Sequence, residues 1–315
     1  MRKIPIRTNI YDEMKNTIRQ TYFLAIIACL LWSTAFAGIK IGLEYTTPLQ
    51  FAGIRFFLAG IILFPLVKNR KNITLAIKHH FWLILKISLF QTMILYSLFY
   101  LGVSLVPGAI AAIFIGSSPL FAAIVSSLMQ KNDKLTLPKM LTISLGIAGI
   151  VLIAYHKEWS DKDELKQLLG MGILIAANIS SGVGNVFVSR QKGKIPPTTL
   201  NALQMSLGGL VLFVGSLFYE PFTGFNHPPA YFISLAWLSF LSAAAFSIWF
   251  KLLQRPGVLV SDLNIWKFIV PIFGAILSWL LLPDEQPELI PIIGMLIIAV
   301  SLIMYNFVNR KARIK

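Results

Sequence analysis

The chain has 315 residues, of which 56% are apolar and 13% charged, with a formal net charge of +15. Ordinary soluble domains carry roughly twice that charged fraction, and disordered chains carry far fewer apolar residues, so both classes are excluded. A single cysteine excludes a disulfide framework and a multi-cysteine metal site, and the Lys and Arg residues fall in short clusters between apolar stretches, which is a membrane pattern and not a nucleic-acid patch.

About 20 apolar residues cross the hydrocarbon core as helix. Ten such stretches are expected, at 22–41, 48–67, 81–101, 107–129, 137–155, 168–189, 198–219, 230–250, 257–282 and 288–308. The opening MRKIPIRTNIYDEMKNTIRQ has no apolar h-region and reads as a cytoplasmic amphipathic lead-in, not a cleavable signal. The segment HKEWSDKDELKQ at 156–167 is aqueous. With the N-terminus inside, the inner segments hold 21 Lys and Arg against three in 156–167. The positive-inside rule therefore predicts both termini in the cytoplasm, and the absence of lumenal disulfides favours a bacterial plasma membrane.

Sliding the chain by 149 residues lays Pro48 on Pro197, Arg55 on Gln204, Ala59 on Gly208, and Pro107-Gly108 on Pro256-Gly257. Three inserted residues then bring Pro119 onto Pro271 and Asp133 onto Glu285. Each copy holds five spans, and five is odd, so the second copy enters the membrane from the opposite side. The expected fold is an all-α integral membrane protein of ten transmembrane helices arranged as a 5+5 inverted-topology repeat. The first repeat is expected at 22–155, an extracytoplasmic linker at 156–167 and the second repeat at 168–309. Inverted repeats are characteristic of secondary transporters, whose substrate site lies near the midplane between the halves.

LLWSTAFAGIKIG followed by Arg55 in FAGIRFFLAGIIL resembles the opening of an EamA domain. Pro119, Asp133 and Gly149, and again Pro271, Glu285 and Gly294, resemble its close. The resemblance covers nearly the whole chain as two tandem EamA domains of the drug/metabolite transporter superfamily. It implies a ten-helix transporter, often an exporter of amino acids or related metabolites. The second repeat departs from the pattern in lacking the Trp of the first and in placing Gln204 at the Arg55 position.

An ionisable residue at membrane depth normally faces a cavity or a partner. Lys267 lies about 15 Å into the ninth span at 1.5 Å per residue, which is the midplane. Asn264, Lys267, Pro271, Gly274 and Ser278 recur at helical spacing, so Lys267 is expected to face a cavity and attract a carboxylate or phosphate. Asn264, Trp32, Gln91, Asn178, Ser181, Asn185 and Ser118 lie at similar depth on several helices and are expected to complete a substrate pocket. The bland alternative is interhelical hydrogen-bond glue. Tyr96 and Phe246 are expected as apolar walls. Arg55 reads first as a structural tie, because Gln204 stands in its place in the second repeat. Asp262 is the one carboxylate within a span, a candidate proton site or an ion-pair partner. Lys86 is shallow and snorkels.

Enzyme readings lack their residues. All four His (His79, His80, His156, His227) fall in loops or at the interface, which leaves an intramembrane serine nucleophile without its base. No carboxylate pair, metal-ligand spacing or phosphate loop falls within a span. No cofactor is expected, and the expected partners are a small-molecule substrate and membrane lipids, without nucleic acid. A lipid or glycolipid flippase and a non-transport scaffold are the rival readings.

Overall fold

The computed structural model describes residues 6–130, 135–154, 164–191 and 193–314. Among these, the chain forms helices and no strand. Eight helices are long and apolar enough to cross a membrane, and two shorter apolar helices, Leu137–Ile153 and Ile265–Leu281, complete ten spans.

Several spans are built from more than one helix, and local chemistry sets each break. The first span joins α1 (Ile6–Ser33) to α2 (Ala35–Leu43). At the joint, the Ser33 hydroxyl donates to the Cys29 carbonyl and the Thr34 hydroxyl to that of Leu31. Such back-bonding competes with the main-chain ladder. The second span is α3 (Pro48–Leu63). The third joins α4 (Lys71–Ser88) to α5 (Ile94–Leu105) through a π-helical turn, Leu89–Met93. It begins ten residues before the expected start at 81, because LAIKHH is amphipathic and carries the span into the polar interface; His79 thus lies on a helix rather than in a loop, and His80, with non-helical backbone angles, marks a kink.

The fourth span divides into α6 (Gly108–Gly116) and α7 (Ser118–Met129). Pro119 has no N–H and cannot continue the ladder across the joint. The fifth and sixth spans are α8 (Leu137–Ala154) and α9 (Glu164–Ser189), and the seventh and eighth are α10 (Pro197–Tyr219) and α11 (Pro229–Leu253). The ninth comprises α12 (Val260–Asn264), a 3₁₀ turn at Ile265–Phe268 and α13 (Ile269–Leu281). Pro271 again withholds the N–H that the Lys267 carbonyl would accept from. The 3₁₀ turn breaks the single α-helical face expected to run from Asn264 to Ser278. The tenth span is α14 (Leu289–Ile314).

Packing obeys the repeat exchange that maps each span onto the one five later. α3 packs on α10, α8 on α14, and α6 on α13, so each pair joins a span to its own repeat mate. The α5–α9 contact has its counterpart in α11–α1, α7–α9 in α13–α1, and α4–α10 in α11–α3. This is a ten-span 5+5 inverted repeat with the pseudo-two-fold axis through the α3–α10 and α8–α14 crossings. Glycine permits the closest approaches there. A Cβ on Gly149 would stand 2.9 Å from the Gly294 carbonyl oxygen, and one on Gly294 would stand 3.0 Å from that of Gly149. A Cβ on Gly209 would overlap the backbone nitrogen of Phe57, and one on Gly53 that of Phe213.

With ten spans, both chain ends lie on one face of the bundle. On the opposite face two carboxylates cap helices of the other half. Glu220, after α10, accepts from the main-chain N–H groups of Leu49 and Gln50 at the start of α3, at 2.9 and 3.1 Å, and from the Thr47 hydroxyl at 2.6 Å. Glu285, after α13, accepts from the N–H groups of Gly108 and Ala109 at the start of α6, at 2.5 and 2.9 Å. A helix start offers orphan N–H groups and the positive end of the dipole, so a carboxylate stabilises it.

Candidate functional site

The breaks in the first, third, fourth and ninth spans meet at one depth. Between them lies a cavity of about 680 Å³ of empty space, counting its mouth. Both halves contribute: Trp32, Arg55, Gln91, Tyr96 and Ser118 from the first, and Asn178, Ser181, Asn185, Phe246, Trp249 and Lys267 from the second.

Seven of the expected pocket residues therefore line one cavity: Lys267, Trp32, Gln91, Asn178, Ser181, Asn185 and Ser118. Asn264 does not line it. It is fully buried behind the wall, where its amide donates to the Val260 carbonyl at 2.8 Å. Its Oδ1 accepts from Asn185 Nδ2 at 3.3 Å, and Asn185 Oδ1 accepts from Gln91 Nε2 at 2.8 Å. The three amides thus form a relay from α12 through α9 to the π-helical turn of the third span. Ser180 secures that turn by donating to the Phe90 carbonyl at 2.8 Å. Asn178 Nδ2 donates to the Phe114 carbonyl at 2.8 Å, satisfying backbone released by the Ser117 break. Asn178 and Asn185 thus make interhelical hydrogen bonds and also line the cavity.

Lys267 is buried, and its ammonium stands 5.0 Å from the Trp249 ring and 5.4 Å from that of Trp32. The two indoles pack edge to face at 5.0 Å and hold the cation by their π faces. Sequence reasoning missed Trp249; a Trp near a span end reads as interface belt, and only the fold turns it inward.

Arg55 is 1% exposed. Its Nε donates to the Leu238 carbonyl at 3.2 Å and to Ser242 Oγ at 2.9 Å, and its Nη1 to the Tyr100 hydroxyl at 2.9 Å. The guanidinium also lies 4.9 Å from the centre of the Phe56 ring. Gln204 makes the exchanged contact: where Arg55 of the second span reaches the eighth, Gln204 of the seventh reaches the third, accepting from Thr92 Oγ1 at 2.5 Å. Arg55 is thus both the expected structural tie and part of the cavity wall. Lys86 is exposed. Asp133, His156 and the side chain of Asp262 lie outside the described residues.

The family model of the EamA-like transporter family matches residues 19–155 and 168–307. The chain belongs to the EamA-like transporter family. Its relatives include an uncharacterized transporter of Bacillus subtilis (strain 168), 25% identical over 92% of this chain and 97% of that protein. Another is the S-adenosylmethionine/S-adenosylhomocysteine transporter of Chlamydia muridarum (strain MoPn / Nigg), 25% identical over 90% of this chain and 91% of that protein. A crystal structure aligns with TM-score 0.69 at 15% identity, over 93% of this chain and 99% of that one, a likeness of fold alone. As an EamA protein the chain is a multi-pass membrane transporter, and its cavity lies between the two matched segments.

Proposed function

We propose that this EamA protein is a secondary transporter that exports small metabolites bearing a carboxylate, such as amino acids, by alternating access at the central cavity. The observation that carries the reading is Lys267, a cation buried at the meeting of the two repeats and facing a central cavity with walls from both. A charge at this depth is costly and persists where a ligand or partner repays it. The pseudo-equivalence of the halves gives the two access states similar energies, as rocking requires. The domain limits follow the repeat: 22–155 and 168–309 as the two moving halves, with 156–167 joining them outside. The face bearing both termini is cytoplasmic, in keeping with its 21 Lys and Arg.

Proteoliposomes loaded with a mixture of unlabelled amino acids, S-adenosylmethionine and simple carboxylates test this by counterflow of each labelled solute, with and without a pH gradient. Protein-dependent exchange of at least one carboxylate-bearing solute is expected, and Lys267→Met is expected to reduce it about tenfold or more. Exchange unchanged by Lys267→Met removes the charge-anchor role. A folded protein that exchanges none of these solutes, and instead moves a fluorescent phospholipid between leaflets, overturns the reading in favour of a flippase.

A further inference from the structure

The chemistry of the cavity wall is one-sided in a way that narrows the substrate. Two cations reach it, Lys267 and Arg55, and among the described residues no carboxylate bridges either one. Three further donors, on residues that line it, have no partner among the described residues: the indole N–H groups of Trp32 and Trp249 and the hydroxyl of Ser118. All three residues line the cavity, Trp249 and Ser118 buried and Trp32 half-buried. A buried donor without an acceptor is costly, and an uncompensated buried cation more so. One ligand type answers Lys267 and these donors together: an anion seated against Lys267, beside the indoles.

The opposite wall differs. The repeat shift of 149 lays Cys29, Trp32 and Phe36 of the first span on Asn178, Ser181 and Asn185 of the sixth. The pseudo-symmetric cavity is therefore aromatic and cationic on one side and neutral amide on the other. Amides and hydroxyls satisfy a hydroxyl or carbonyl group, but they do not offset the desolvation of an ammonium held in a chamber with two cations.

Resting on the transporter reading above, and narrowing it from amino acids at large to carboxylates of net negative charge, we infer that the cavity selects a compact organic monoanion, a carboxylate on a flat apolar body, and discriminates against zwitterions and cations of the same shape. The anion stands at Lys267, and its flat body lies along Trp32, Trp249 and Phe246. A net cation such as S-adenosylmethionine is excluded by the same charges, despite the likeness to relatives named for it.

Three compounds sharing one skeleton separate the possibilities: 3-phenylpropanoate, phenylalanine and phenethylamine, which are anion, zwitterion and cation. Binding to the purified full chain is read by tryptophan fluorescence and by ligand-induced thermal stabilisation, and transport by counterflow in proteoliposomes. 3-Phenylpropanoate is expected to bind at least about tenfold more tightly than phenylalanine, with no saturable binding of phenethylamine. Lys267→Met is expected to abolish that preference, Lys267→Arg to retain most of it, and Trp249→Phe, which keeps a ring and loses the N–H, to weaken the anion about threefold to tenfold. A phenylalanine affinity equal to or above that of phenylpropanoate overturns the inference while leaving the transporter reading intact. So does binding of the amine, or exchange of other solutes without any anion preference. Failure of all three to bind or exchange, together with failure of every solute in the mixture above, overturns both.

Discussion

At the scale of single residues, Arg55 and Lys267 are two buried cations held in different ways. Arg55 is fixed by directional bonds to Leu238, Ser242 and Tyr100, so its first role is to tie the second span to the eighth and the third. Interhelical bonds in membranes contribute on average about 0.6 kcal/mol each. Arg55→Met forfeits three of them and leaves the Tyr100 hydroxyl buried without that donor. It is expected to lower unfolding free energy by about 2 kcal/mol, seen as an earlier thermal transition in detergent. Arg55→Gln, the residue of the other repeat, is expected to recover part of that loss. Among the described residues, Lys267 is held by ring faces, an attraction without fixed direction, which leaves its ammonium free to turn toward a ligand. Depth along a span was enough to find Lys267, Gln91, Asn178 and Asn185 in the sequence. Trp249 and Tyr100 were not legible as partners of these cations, because aromatic residues recur along every span and only packing decides which rings meet a charge.

At the scale of elements, the apolar runs located all ten spans; Pro119 and Pro271 sit just past two of the breaks, which the helical spacing alone did not show. The π-helical turn at Leu89–Met93 has no such mark. It contains neither Pro nor Gly, and its carbonyl at Phe90 is satisfied from another helix by Ser180, so a tertiary contact supports it. The caps on α3 and α6 were equally hidden, since Glu220 and Glu285 lie 170 residues or more from the N–H groups they serve. Glu285→Ala is expected to cost about 1 kcal/mol by freeing two helix-start donors, with Glu285→Gln costing less, both read from thermal unfolding. The α3–α10 crossing is far less forgiving. Gly209→Val drives a side chain into the backbone of α3 and is expected to cost 3 kcal/mol or more, or to prevent recovery of folded protein. Gly215→Ala on the same helix meets nothing within 4 Å and is expected to be neutral or slightly stabilising.

At the scale of the whole molecule, the inverted repeat decides what kind of motion the chain can make. Two halves related by the pseudo-two-fold axis can trade their contacts at the two faces, and the cavity then opens first to one side and then to the other. The face opposite the chain termini is closed by bonds between the halves, among them Thr46 Oγ1 to Thr223 Oγ1 at 2.9 Å. Those two oxygens are close enough that cysteines in their place could form a disulfide with little backbone movement. Cys29 is the sole native cysteine and is buried, so Cys29→Ala supplies a clean background. In that background, a Thr46→Cys, Thr223→Cys pair oxidised in proteoliposomes is expected to abolish counterflow, while the single variants keep it and reductant restores it. The cavity lies deeper than the tether, so a ligand added from the terminal side of the oxidised protein is still expected to perturb tryptophan fluorescence. Full exchange with the tether formed would mean that the halves do not part at this face, and the rocking mechanism would then fail for this protein.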